Sequence, residues 1–247
     1  MLIDWQKLES KAGNYGCGIT MFKNKISSAK GYFFRNSVII NNRLFKQITE
    51  LQLATPFSHS SVDDYLKVDL KTKPENSETI FDLVGESCSF VEIEKVKTLY
   101  ETCAKLDFKI FLETVGFGFK KDDCDKTTFY FDNFDKVLPK DSKRIIDGIL
   151  AAFGIKETRY LLPKTDNMYL YIVALEFSRN TSKIKFYFLA DKCFKNDDLS
   201  SMFVDTKYAK YANEVLDTNG WIGFFQIAFV GKEDITYNFY YKKEKRV

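Results

Sequence analysis

The chain has 247 residues, of which 45% are hydrophobic and 29% charged, a balance that suits a folded globular domain and excludes an intrinsically disordered one. Its 37 Lys and Arg stand against 34 Asp and Glu, a net charge of only +3, which argues against nucleic acid as the main partner and makes any positive potential local. Five scattered cysteines (Cys17, Cys88, Cys103, Cys124, Cys193) without C-x-x-C spacing, and one histidine, His59, argue against a zinc site or a disulfide framework and favour reduced thiols in a cytoplasm.

No apolar run approaches the roughly 20 residues of a membrane span, and the first residues, Met-Leu-Ile-Asp-Trp-Gln-Lys, lack the charged start and apolar middle of a secretion signal. His59 lies in the polar stretch Phe57 to Ser61, so a histidine-based triad has no obvious partner. The 24 Phe and 14 Tyr exceed what packing alone usually needs, a surplus that fits an aromatic-walled cavity or a lineage bias toward Phe.

In chain order, residues 2–10 suit a short helix, and Gly16 to Phe22 and Lys25 to Arg35 form a first hairpin whose second strand puts Ser28, Lys30 and Tyr32 on one face. A helix over 37–52 follows, with Ile40, Leu44, Ile48 and Leu51 at helical spacing. A polar loop, Thr55 to Ser61, leads to a second hairpin that pairs Asp64 to Thr72 with Glu78 to Val84. Its first strand carries Lys67, Asp69 and Lys71 on one side and Leu66, Val68 and Leu70 on the other.

A helix from Phe90 to Leu106 precedes a third hairpin, Phe108 to Lys120 and Thr127 to Phe131, turning in Asp122 to Asp125, with Thr128, Tyr130 and Asp132 on the polar face of its return. Here Gly116-Phe117-Gly118-Phe119 sits in a strand pattern and lacks the spacing of a phosphate loop before a helix. Pro139 starts a further helix that Gly154 caps. The fourth hairpin joins Met168 to Ser178 to Lys183-Ile184-Lys185-Phe186-Tyr187-Phe188, where two ammonium groups and a phenol share one face and the other is wholly apolar. A helix over 197–216 and a last hairpin, Trp221 to Val230 and Thr236 to Lys243, complete the chain.

Five helix-then-hairpin units without a flexible linker predict one α+β domain over residues 1–247: ten antiparallel strands closed into a barrel, jacketed by helices, with the polar faces lining a solvent-filled lumen. Ten strands leave room for a ligand where eight are nearly filled by side chains. Lysines that converge there, Lys30, Lys67, Lys71, Lys183 and Lys185, repel one another unless an anion sits among them, and Tyr130 and Tyr187 add donors suited to a diphosphate.

With Lys183, Lys185 and Tyr187 on one strand, the five-unit chain resembles the ABBA, or PT-barrel, aromatic prenyltransferases. Within them it resembles most the cyanobactin-type peptide prenyltransferases, in Tyr65 to Glu75, Val115 to Phe119, Trp221 to Gly223 and Phe239 to Lys242. The resemblance implies transfer of a dimethylallyl group from its diphosphate to a linear or macrocyclic ribosomal peptide, magnesium accompanying the diphosphate. It also implies a carbocation shielded by Tyr32, Trp221, Tyr237, Phe239 and Tyr241. No D-D-x-x-D motif stands in the chain, and no protein-held metal is expected.

Where such enzymes carry a first-strand glutamate, this chain has Tyr15-Gly16-Cys17-Gly18, which leaves Asp69, Glu113 and Glu176 as candidate bases and favours a terminus or a non-phenolic side chain as acceptor. Two alternatives remain at the level of sequence. One is a non-catalytic barrel that binds an anionic isoprenoid or nucleotide; the other is a nucleic-acid protein with exposed basic sheets.

Overall fold

Alternation sorts each strand's side chains onto two faces, and the phenylalanines decide which face is covered. The computed structural model describes residues 14–22, 25–34, 42–50, 54–60, 65–72, 77–120, 123–134, 137–155, 169–189, 221–231 and 234–242, with the backbone course alone at several strand positions. The strands are β1 (Asn14–Phe22), β2 (Lys25–Phe34), β3 (Ala54–Ser60), β4 (Tyr65–Lys71), β5 (Phe111–Lys120), β6 (Asp123–Asp132), β7 (Tyr169–Ser178), β8 (Ser182–Leu189), β9 (Trp221–Val230) and β10 (Asp234–Lys242). Each pairs antiparallel with its neighbour in sequence, and β1 also pairs with β10, which closes the sheet. This meander puts the hairpin turns at one end and the described helices at the other.

Four helices are described: α1 (Arg43–Glu50), α2 (Ser77–Ser87), α3 (Ile93–Lys105) and α4 (Pro139–Ala152). Asn42 caps α1, its Oδ1 accepting the Phe45 N–H at 3.2 Å. Pro139 opens α4, where its missing N–H costs no hydrogen bond. The same helix ends in a left-handed Gly154 (φ 69°): the Gly154 N–H donates to Ala151 O at 3.0 Å and the Ile155 N–H to Leu150 O at 2.9 Å, a Schellman closure that glycine accommodates without strain.

The helices cover the outer face of the sheet. Phe45 of α1 meets Phe119 edge-on, Phe81 of α2 stacks on Phe129, and Tyr100 of α3 meets Phe131 edge-on. Phe117, Phe119, Phe129, Phe131, Phe177, Phe186, Phe188 and Phe229 are all fully buried in this layer. The molecule's main apolar core is therefore a shell between barrel and helices, and the interior of the barrel is free to be polar.

Three features differ from the sequence reading. The stretch Thr55 to Ser61 is expected as a polar loop, but residues 54–60 form β3, and Pro56 is tolerated because it falls in a register irregularity between Ala54 and Phe57. The segment expected to return as a strand over Glu78 to Val84 is α2, because Ile80, Leu83 and Val84 recur at helical spacing and bury one stripe. Asp123 to Asp125, expected in a turn, already belong to β6. The expected helices over 2–10 and 197–216 lie outside the described residues. Among the described residues no helix is long and apolar enough to cross a membrane.

If the outer shell is the main core, Phe186→Ala lowers stability by about 3–5 kcal/mol. Removing the exposed Lys97 side chain one layer out changes it by less than about 0.5 kcal/mol. Urea denaturation of the two variants checks the contrast.

Candidate functional site

Laterally paired residues of an antiparallel sheet share a face, so the inner surface can be followed row by row. One row runs Asp69, Gly116, Thr128, Glu176 and Lys183; the next runs Lys71, Thr114, Tyr130, Ala174, Lys185 and Ala228. A third holds Lys67, Gly118, Lys126 and Ser178. None of these rows contains the phenylalanines of the outer shell.

Two ion clusters form on this surface. In the first, Lys67 Nζ stands 2.9 Å from Asp69 Oδ1, donates to Tyr130 Oη at 2.7 Å and lies 4.4 Å from the centre of the Tyr130 ring. In the second, the buried Glu176 carboxylate accepts from Lys185 and from the Thr128 hydroxyl at 3.5 Å, with Lys183 Nζ 3.2 Å away. The Tyr130 and Tyr187 rings, 6.1 Å apart and tilted by 51°, bridge the clusters. Beside Tyr187 in register, Gln226 accepts a hydrogen bond from Asn238 at 2.7 Å. Nearer the helical end, Lys71 pairs with Glu113 at 2.9 Å in a more exposed setting.

In these two clusters three ammonium groups, Lys67, Lys183 and Lys185, face the two carboxylates of Asp69 and Glu176. Burial would raise the Glu176 carboxyl, but Lys185, Lys126 and Lys183 outweigh it and hold the group well below the usual carboxylate range. Burial pushes Lys185 down to about 8 against the pull of Glu176, with Lys183 and Lys126 adding to the fall. For Lys67, burial also works against the charge, yet Asp69 and Tyr130 together carry its ammonium above the ordinary range. An enclosed surface with surplus ammonium groups and phenol donors is suited to a compact polyanion.

Of the residues singled out from sequence, Lys67, Lys183, Lys185, Tyr130 and Tyr187 come together here with Asp69 and Glu176, while Lys71 and Glu113 pair with each other. Lys30 and Tyr32 lie on β2, of which the backbone course alone is described. Tyr32 pairs with His59, His59 with Leu66 and Leu66 with Phe119, so the Lys30 and Tyr32 register is that of the helix-covered face. Tyr237 pairs with the fully buried Ile227 and Phe239 with Phe225, and Tyr241 shares its row with Cys17 and Lys30.

These register positions alternate with that of Asn238, whose amide reaches Gln226 on the inner face. The side chains of Lys30, Tyr32, Trp221, Tyr237, Phe239 and Tyr241 themselves lie outside the description. Both faces of β2 and β10 alternate in the sequence, and nothing local says which is inner. Sequence reading missed Lys126 and Gln226. Starting β6 at Asp123 would have put Lys126 in step with Thr128 and Tyr130.

The architecture has solved counterparts. AnaPT from Neosartorya fischeri matches with a TM-score of 0.60 at 11% identity, over 95% of this chain and 80% of that one. The 5-dimethylallyltryptophan synthase of Streptomyces coelicolor matches with a TM-score of 0.50 at 8% identity, over 94% and 81%. At these identities the likeness shows the fold, which is that of the aromatic prenyltransferase barrels. No protein-family model and no curated protein matches the sequence.

Glu176→Gln leaves two enclosed lysines without their counter-ion, so it lowers stability by about 3–5 kcal/mol at neutral pH. Because the folded carboxyl lies below its ordinary value of 4.5, this stabilisation is complete above that value and drains away as pH falls toward the folded one. Urea titrations of wild type and variant at pH 7 and pH 3 check it: the gap between the two proteins narrows at the lower pH without closing.

Proposed function

We propose that the protein is a prenyltransferase that moves a dimethylallyl group from its diphosphate to a ribosomally made peptide of cyanobactin type, inside a ten-stranded, solvent-filled barrel. The observation that carries this reading is the convergence of Lys67, Lys183, Lys185, Tyr130 and Tyr187 on one enclosed surface of a barrel with this fold. The name of the Streptomyces synthase supplies the donor group by analogy. The free, buried Cys88, Cys103 and Cys124 fit a reducing cytoplasm.

In the reaction the allylic C–O bond breaks with its electron pair passing to the diphosphate, which the lysines and the Tyr130 hydroxyl hold in place as its charge grows. The Tyr130 and Tyr187 rings face the developing carbocation and stabilise it electrostatically. The acceptor's electron pair then forms the new bond, and the acceptor gives up a proton. Asp69 and Glu176 keep the lysines charged. Glu176 is too weak a base to take that proton, which leaves Glu113 or the departing diphosphate. An acceptor that needs no prior deprotonation, an indole carbon or an amine, fits this better than a phenol.

Magnesium is expected with the diphosphate, but the residues present do not fit a protein-held ion. Asp69 and Glu176 are each engaged by lysines, and no group of three or more His, Cys, Asp or Glu among the described residues could hold one. No step above passes through it. The inward placement of Lys67 and Lys185 also counts against an exposed basic sheet for nucleic acid.

Incubation with dimethylallyl diphosphate and a peptide panel yields peptides heavier by one dimethylallyl group, read by mass spectrometry; binding of the donor without any product would favour a non-catalytic barrel. Lys185→Ala raises the KM for the donor by roughly 10- to 100-fold, the worth of one charge-assisted hydrogen bond, while circular dichroism stays unchanged. Since Lys185 titrates at about 8, diphosphate affinity falls as pH rises through 8. Calorimetry in buffers of different ionisation enthalpy shows proton uptake on binding there.

A further inference from the structure

We infer that Gly116 is a positioning residue for the Lys67 arm of the anion-binding surface, its missing side chain leaving the trough through which Lys67 crosses β5 to reach Tyr130. The inference rests on the reading of that surface as a diphosphate site and adds to it a determinant on a strand that contributes no ligand of its own.

Lys67 belongs to β4 and Tyr130 to β6, with β5 between them. Two strand spacings amount to roughly 9.5 Å, and the 2.7 Å hydrogen bond between the two side chains has to pass over the inner face of β5. That face is nearly bare. Gly116 pairs with Asp69 and Thr128, and Gly118 pairs with Lys67 and Lys126, while Val115, Phe117 and Phe119 put their bulk on the outer face.

A methyl group at Gly116 would lie 2.5 Å from Asp69 Oδ1, 2.6 Å from Lys67 Cε and 3.3 Å from Lys67 Nζ. All three atoms belong to the Lys67–Asp69 pair. The backbone does not demand glycine here, because the left-handed glycines among the described residues are Gly154 and Gly231. A strand-interior glycine weakens a sheet and marks a close approach, and in this case what approaches is the pair itself. The colliding atoms are the far ends of side chains, so an alanine displaces the pair and leaves the barrel standing.

The test is a double-mutant cycle in the full chain, with inorganic diphosphate as the probe and calorimetry as the readout. Gly116→Ala weakens binding about tenfold, as Lys67→Met does, and adds nothing further in the Lys67→Met background. In turnover it raises the KM for dimethylallyl diphosphate more than it lowers kcat. Equal losses in both backgrounds overturn the inference.

A second arm does not depend on the ligand. Gly116→Ala lowers the urea midpoint of the wild type but leaves unchanged or raises that of a Lys67→Ala/Asp69→Ala protein, where the trough is empty; equal destabilisation in both refutes the idea. Should Gly116→Ala fail to fold, the same two truncations restore folding, and failure to restore it is refuting. If the wild type binds no diphosphate, the proposed function fails, while the stability arm still decides the trough.

Discussion

The arrangement depends on two enclosed carboxylates that hold a larger number of ammonium groups on the inner face of a closed sheet. Removing charge from water is costly, and like charges brought together cost more. Glu176 offsets that cost for Lys183 and Lys185, and Asp69 does so for Lys67, with Tyr130 as a further partner. The compensation is incomplete, and the remaining positive potential is what an anion would meet on entry. A site built in this way keeps its donors in place before the ligand arrives and needs little reorganisation when charge develops.

Such an interior is sustainable because stability is supplied elsewhere. The apolar shell between helices and sheet buries the outer phenylalanines of β5 through β9, so the inner face does not have to contribute a packed core. Closure matters as much. With β10 returned to β1 there is no free edge in the sheet, and side chains borne by strands far apart in sequence are held in fixed rows. Local choices follow the same division of labour: β5 carries bulk outward and almost nothing inward, and the small Ala174 sits in register between Tyr130 and Lys185.

A cation-rich inner wall beside paired tyrosine rings has the chemistry that the proposed allylic diphosphate would need, for the leaving group and for the delocalised cation. The same wall explains why Glu176 makes a poor base: it is held by Lys185 and Lys183.

Much of this was legible in the chain. Alternation over Lys183 to Phe188 and over Leu66 to Lys71 determined which residues share a face, because side chains of a strand point to opposite sides in turn. Helical spacing located α3 and α4, and Gly154 marked the end of α4. The sequence by itself did not separate β3 from a loop, since one Pro and several small polar residues hide a strand that only pairing on both sides stabilises. Nor did it identify α2, whose short apolar stripe also fits a strand.

Which face turns inward was decided by the tertiary structure alone. The rows of Lys30, Tyr32, Tyr237 and Phe239 looked as suitable as those of Lys67 and Lys185, and only backbone register tells them apart, Tyr32 falling in step with Phe119 and Phe239 with Phe188. Periodicity determines partition into two faces. Inside and outside are properties of the closed sheet and its helices, set by contacts between residues that the chain holds far apart.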